Sequence, residues 1–365
     1  MNFKAAVLKA VGSPLSIERL SLVNLKQTDV VVRTKATSLC HTDLEAIEGQ
    51  LASPLPLVPG HEAAGVIEWV GSEVRDKAVG DHVIISWNPH CNYCYYCARH
   101  QPILCQQYRD NASLSQHFDG ESRFLLGAEP VHSLMYAGTF AEVVVVTGPC
   151  AVKIDKSMPL DLACLIGCAV MTGVGAARNI AKVAAGSAAS VIGCGAVGLS
   201  VIQGAKLAGA EKIIAIDRNP AKLELARKFG ATHTLLIGES LISEHAALTS
   251  GRGADYVFEA AGNPAGFRTS VEIVRPGGQV VWLGKVPVDQ EVAFRWGSLM
   301  GEKKIVRSSY GGTDPEKDFP ILVQAYLEGR LLLDEYVTGR IPLEGINLGL
   351  ERLKQGLEIR SVVEF

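Results

Sequence analysis

The sequence predicts an α/β protein in which a β-rich, barrel-like first lobe is joined to a doubly wound parallel sheet. Three observations carry that expectation. The opening residues hold short β-branched runs punctuated by Gly, Pro and Asp; from about Leu162 strand-like and helical runs alternate; and a glycine-rich turn sits between one such strand and the helix after it. At 365 residues the chain is about twice a typical domain, so two lobes can each bury a core.

The elements follow in order. Ala5–Leu8, Val30–Thr34, Ala64–Val70 and His82–Ile85 read as strands of the first lobe. Arg109–Met135 is polar and without period, and reads as a long irregular loop with a binding or assembly role. Leu162–Ala177 is apolar but interrupted by Gly167, Thr172, Gly173 and Gly175. It is shorter than the ~20 residues a membrane span requires, so it reads as one buried helix. The alternating region then runs strand Ser190–Ile192, helix Ala196–Ala208, strand Lys212–Ile216, helix Pro220–Phe229, and strands Thr234–Ile237, Tyr256–Glu259 and Gln279–Leu283. From about Tyr310 the chain carries one clear helix, Phe319–Glu328, and returns to the first lobe. The expected division is 1–169, 170–309 and 310–365.

Composition excludes several classes. Hydrophobic residues make up 48%, charged residues 20%, and the net charge is -3, which leaves no basic footprint for nucleic acid. The N-terminal MNFKAAVLKAVGSPL lacks the apolar core of a signal peptide, so a cytoplasmic protein is expected. Of nine Cys, four (Cys91, Cys94, Cys97, Cys105) crowd one short segment. In a large chain without a secretion signal that clustering points to metal before disulfides.

Ser190-Val-Ile-Gly193-Cys-Gly195-Ala-Val197-Gly198 places G-x-G-x-x-G between a strand and a helix. Gly193 permits the tight turn, Gly195 admits a pyrophosphate to the backbone, and Gly198 lets the helix sit close to the sheet. The strand Lys212-Ile-Ile-Ala-Ile-Asp217 ends in an acid about 20 residues further on, placed to bond a ribose 2′-OH and to repel a 2′-phosphate, which favours NAD over NADP.

Four thiolates at C-x2-C-x2-C-x7-C spacing are enough to close a tetrahedral zinc shell. An iron–sulfur cluster fits poorly, because the last gap is long and no Cys-Pro follows; disulfides and free thiols stay open. Cys40, His61, Glu62 and Cys168 form a dispersed second set that spacing alone does not pair.

Taken together, the segments CHTDL, PGHEAAGVIEWVG, the four-Cys loop, GCAVMTGVG, IGCGAVG with its acid, and EIRSVV resemble the zinc-containing medium-chain alcohol dehydrogenases over nearly the full length. The resemblance implies a GroES-like catalytic domain completed by the C-terminal tail, with a Rossmann domain inserted, and two zinc ions per subunit. It implies that Cys40, His61 and Cys168 hold a catalytic zinc whose fourth position takes substrate oxygen or water, with Glu62 beside the metal and Asp43 orienting His61. It also implies that Cys91, Cys94, Cys97 and Cys105 hold a structural zinc, that Thr42 accepts the alcohol proton, and that His41 and Arg360 lie against the cofactor pyrophosphate. Lys222 matches a contact to the adenosine ribose, and Trp87 a wall of the substrate channel that favours primary alcohols. Where many relatives carry a relay His, this chain has Glu45, so Glu45, His41 or water completes the proton route. The Arg109–Met135 segment resembles the insert of dimeric members, which implies a homodimer, with a homotetramer as the alternative. The substrate is expected to be a small alcohol or aldehyde; S-(hydroxymethyl)glutathione and a non-catalytic NAD- or zinc-binding role are the competing readings.

Overall fold

A computed structural model of the chain describes residues 1–110 and 115–365, so the part of the expected long loop at 111–114 lies outside the described residues. The chain divides into two compact units, Met1–Cys168 with Asp314–Phe365, and Ala169–Thr313.

The first unit is built on a seven-stranded sheet whose central pair is Asp29–Ser38 against Glu62–Val70, antiparallel. Along these strands Val30, Val32, Ala63 and Ile67 point to one side, where they meet Val83, Ile85, Val144 and Val146 in a closed apolar core. Val31, between Val30 and Val32, is buried on the other side as well, so this central strand is covered on both faces. Each fully buried Val or Ile contributes roughly 1.5–3 kcal/mol. The strand Asp29–Ser38 runs further than the sequence suggested, because its C-terminal half pairs with Arg360–Glu364 from the far end of the chain. A second sheet joins Asn2–Val7, Ser16–Leu22, Phe124–Leu126, Glu129–Ser133 and Leu57–Val58.

Two expectations are corrected here. The segment Arg109–Met135 is not an irregular loop throughout: Phe124–Leu126 and Glu129–Ser133 form a hairpin, Phe124 opposite Val131, and that hairpin extends the second sheet. A polar surface hid the strands, since Phe124 and Val131 are buried while Glu129 and Pro130 are exposed. Leu162–Ala177 is not one helix either. It is a short helix Leu160–Ala163, a tight turn Cys164–Gly167, a break at Cys168 (φ -144°, ψ -80°), and a fresh helix from Ala169. Among the described residues no single helix is long and apolar enough to cross a membrane.

The second unit is a six-stranded, all-parallel sheet. In space its strands run His233–Leu236, Lys212–Asp217, Ala188–Ile192, Ala254–Glu259, Val274–Trp282, Lys304–Arg307. Counted along the chain that is the order 3-2-1-4-5-6, the doubly wound arrangement whose direction of growth reverses between its first and fourth strands. Ile192, Ile214, Ile216, Val257 and Val280 pack its core. Parallel strands covered on both faces call for near-continuous apolar runs, which is why the inner strands were readable in sequence; the edge strand Lys304–Arg307, mostly exposed, was not read.

Candidate functional site: two thiolate clusters and a glycine turn

Sheet register assembles the dispersed set. Ser38 lies between Glu62 on one side and Val362 on the other. Cys40 is two residues past Ser38, His61 one before Glu62, and Arg360 two before Val362, so all converge on one end of the sheet. Gly167 packs there as well: a Cβ at that position would lie 2.9 Å from the carbonyl of Ile85 and 3.9 Å from Cα of Glu62. The helical break at Cys168 follows at once. The ligand atoms of Cys40, His61, Glu62 and Cys168 lie within 4.8 Å of one another.

Asp43 fixes this geometry from a fully buried position. Its Oδ2 accepts from the amide of Cys40 at 2.9 Å, and its Oδ1 meets the Gly60 amide at 3.1 Å and Nδ1 of His61 at 2.9 Å. One carboxylate thereby holds both loops that carry donor atoms and commits Nδ1. Nε2 of His61 is left buried without a hydrogen-bond partner among the described residues. Buried polar atoms are rarely orphaned, and an imidazole nitrogen aimed at two sulfurs is the donor arrangement that a zinc ion takes. No disulfide competes, since the cysteines are free.

Arg360 is buried, with Nη2 3.3 Å from Oε1 of Glu62 and 3.8 Å from Sγ of Cys40. Cys40 is drawn well below the ordinary thiol range, first by its hydrogen bond with Cys168 and then by the Arg360 and His61 charges acting against burial. Burial raises Glu62 to about 7 despite Arg360. The structure thus places Arg360 on the carboxylate and thiolate of this cluster, a setting that reading EIRSVV did not reveal. A lone Arg at the head of the apolar terminal strand Arg360–Glu364 was the available signal.

Thr42 and Glu45 sit one turn apart on the short helix His41–Ile47 that opens at Cys40, with His41 exposed and Thr42 and Glu45 half-buried. Residues three apart share a helix face. Trp87 is buried and stands two residues beyond Ile85, the residue against which Gly167 packs. Its ring lies 6.5 Å from that of Tyr108, which in turn lies 5.6 Å from Tyr136.

The second cluster is local. Sulfurs of Cys91, Cys94, Cys97 and Cys105 lie within 4.8 Å of one another, and the Cys94 amide points at Sγ of Cys91 from 3.3 Å. Backbone N–H groups of Cys97 and Gln106 lower the Cys94 thiol to about 6, while burial raises Cys97 to about 12. Amides directed at sulfur favour thiolate, the form that binds metal.

In the second unit the glycine turn has the geometry its sequence suggested. Gly193 has φ +92°, and a Cβ there would lie 2.7 Å from the Ala261 amide. A Cβ on Gly198 would lie 1.8 Å from the Gly193 carbonyl, whereas one on Gly195 would meet nothing within 4 Å. The backbone is therefore open where Gly195 caps the helix Ala196–Leu207, as anion binding at a helix N-terminus requires. Val197 stands in the first turn of that helix. Asp217 accepts from the amides of Cys194 at 2.7 Å and Asn219 at 2.9 Å, so it braces the turn. A carboxylate has further lone pairs for a ribose hydroxyl. Burial, with the charge of Asp217, raises the Cys194 thiol of this turn to about 12, and the charge of Lys222 opposes that rise.

Residues 26–156 match the family described as alcohol dehydrogenase GroES-like domain, and residues 196–328 the zinc-binding dehydrogenase family. Alcohol dehydrogenase class-3 of Drosophila melanogaster is 38% identical, over 99% of this chain and 97% of that one. Among solved structures, an alcohol dehydrogenase zinc-binding domain protein from Burkholderia ambifaria superposes with TM-score 0.96 at 34% identity, covering 100% of this chain and 99% of that one. Benzyl alcohol dehydrogenase from Acinetobacter calcoaceticus gives 0.94 at 29% identity, with 100% and 99% covered. Likeness of this extent in both sequence and fold leaves one conclusion: the chain belongs to the zinc-containing medium-chain alcohol dehydrogenase family.

Proposed function

We propose that this protein oxidises primary alcohols to aldehydes, and reduces them back, with NAD as hydride carrier and a zinc ion held by Cys40, His61 and Cys168. The observation that carries the reading is the orphaned Nε2 of His61 beside the thiols of buried Cys40 and half-buried Cys168. Two sulfurs and one imidazole leave a tetrahedral metal one open position. That position would take the substrate oxygen, and a zinc ion held by these three residues would supply the Lewis acidity that makes an alcohol hydroxyl acidic near neutral pH. The chain's own residues supply the rest. Asp43 holds His61 in the tautomer that keeps Nε2 as donor, Thr42 receives the hydroxyl proton, and Glu45 on the same helix face or His41 passes it to water. Glu62, neutralised by Arg360, stands by as an alternate ligand. In this reading Arg360 serves the metal cluster, while a role for Arg360 and the exposed His41 toward the cofactor pyrophosphate is what the family resemblance implies.

Gly193, Gly195, Val197 and Gly198 would hold the pyrophosphate, Asp217 and Lys222 the adenosine ribose, and the acid would discriminate against NADP. The four-thiolate cluster would hold the structural zinc, and assembly as a homodimer is inferred. Trp87 walls the pocket; together with the similarity to a benzyl alcohol dehydrogenase, it supports benzylic and other primary alcohols over bulky secondary ones. The test is NADH absorbance with ethanol, benzyl alcohol, geraniol and S-(hydroxymethyl)glutathione. Turnover of one or more free primary alcohols above the glutathione adduct supports the reading. Turnover of the adduct alone transfers the assignment to formaldehyde oxidation, and no NAD reduction at all removes the enzymatic reading. Asp217→Gly should lower the NAD over NADP ratio of kcat/KM at least tenfold, about 1.4 kcal/mol; an unchanged ratio removes that role.

A further inference from the structure

Glu259 ends the strand Ala254–Glu259, at the point where the order of the parallel sheet reverses. In sheets of this kind ligands bind outside the carboxyl ends of the strands at that reversal. Glu259 is fully buried and pairs in register with Ile192, the residue before Gly193. Its main-chain carbonyl accepts from the amides of Leu283 at 2.8 Å and Gly284 at 2.9 Å. Its Oε1 accepts from the amides of Ala261 at 3.0 Å and Gly262 at 2.9 Å. The next residue, Ala260, donates to the carbonyl of Ile192 at 2.8 Å. One residue thus ties together the loops that follow three neighbouring strands, at 193–195, 260–263 and 283–285. The fit is close: a Cβ on Gly284 would lie 2.3 Å from Oε2, one on Gly266 2.5 Å from Oε1, and one on Gly193 2.7 Å from the Ala261 amide.

Nothing in the proposed chemistry uses this carboxyl, yet a buried carboxylate is expensive to keep and its Oε2 has no hydrogen-bond partner among the described residues. A structural clamp alone could be made from a neutral amide. We infer that Glu259 is a positioning residue for the dinucleotide: as a carboxylate it clamps the 260–263 loop against the Gly193 turn, and this preformed floor receives the cofactor. The inference rests on the NAD reading given above. Charge strengthens a backbone N–H bond roughly twofold over a neutral acceptor, so protonation loosens the loop. Burial raises this carboxyl to about 7, against the pull of the amides of Gly262, Ala261 and Asn263 and of Arg307, the charged group facing it from the strand Lys304–Arg307. Lys285 follows Gly284 on the loop packed against Gly262. Near neutrality the clamp therefore tightens as pH rises.

The test is binding, not turnover: calorimetric titration of the intact, zinc-loaded protein with NADH and with ADP-ribose from pH 6 to pH 8. ADP-ribose lacks the nicotinamide, so its profile reports on the dinucleotide floor. Wild-type affinity should rise with a midpoint near pH 7, and Glu259→Gln should bind both ligands about tenfold more weakly with that rise lost. Zinc content should stay at the wild-type value. A Glu259→Gln protein that binds within twofold of wild type with the same pH profile overturns the inference. Should that variant fail to fold, the wild type decides: a rise centred near pH 7 for ADP-ribose supports the clamp, and a flat profile overturns it. A wild-type protein that binds no dinucleotide fails in a distinguishable way, because it removes the NAD reading on which the inference stands.

Discussion

At the scale of single residues, the Cys40–His61–Cys168 cluster depends on side chains that supply none of its donor atoms. Asp43 reaches Cys40, Gly60 and His61 with its two oxygens, so its removal frees both donor loops and the imidazole. Losing such a support costs about 10- to 100-fold in metal affinity. Asp43→Ala should therefore lose one zinc per chain in a chelator competition while keeping the other, as read by metal analysis; retention of both under that competition contradicts the assignment. Glu259 offers a second residue-scale prediction. Its folded value, about 7, lies above the ordinary 4.5. Between those values the folded protein holds a proton that the unfolded chain has released, so stability from this group falls as pH rises through that window. Denaturant midpoints of Glu259→Gln relative to wild type should thus improve between pH 4.5 and pH 7, and a constant difference would argue against the buried charge. At this scale the sequence showed residue types well and company poorly. His61 and Cys40 are legible as donors, but nothing local told that Arg360 would lie across the sheet against Glu62.

At the scale of elements, glycines decide how near backbone segments approach. Gly198 sits where the helix Ala196–Leu207 crosses the strand before it, and a Cβ there would come within 1.8 Å of the Gly193 carbonyl. Backbone cannot move aside as a flexible side chain can. Gly198→Ala should cost about 1–3 kcal/mol, seen as a lower urea midpoint, and should weaken ADP-ribose binding; wild-type values for both would show that the helix does not rest there. The inner strands of this unit and the helices Ala196–Leu207 and Pro220–Phe229 were legible because a parallel sheet covered on both faces is written as apolar runs between helical ones; the helices Leu241–Leu248 and Pro264–Ile273 and the edge strand Lys304–Arg307 were not read. The hairpin Phe124–Leu126 with Glu129–Ser133 was not, since its strands are short and only Phe124, Val131 and Ser133 are buried. The break at Cys168 was equally hidden: the interruptions of Leu162–Ala177 are spread from Gly167 to Gly175 and do not single out Cys168, and at the turn Cys164–Gly167 the residue Gly167 packs close to Ile85 and Glu62.

At the scale of the whole molecule, two metal clusters divide the labour. The four-thiolate set is local in sequence and could by itself saturate a tetrahedral shell, as a structural zinc requires; the dispersed set needs the sheet to assemble it and, with Cys40, His61 and Cys168 as ligands, would keep one position open. That difference explains why the first could be read from spacing and the second only through resemblance to a family. Long-range register, Ser38 between Glu62 and Val362, carries no local sequence signal. The most direct measurement is zinc content beside NAD reduction in wild type and Cys168→Ser. The account predicts two zinc ions per wild-type chain, and in the variant one zinc, a retained fold by circular dichroism, and a loss of alcohol-dependent NAD reduction of at least a hundredfold. A single zinc in the wild type, or a Cys168→Ser protein that has lost a zinc and still reduces NAD at the wild-type rate, would contradict it.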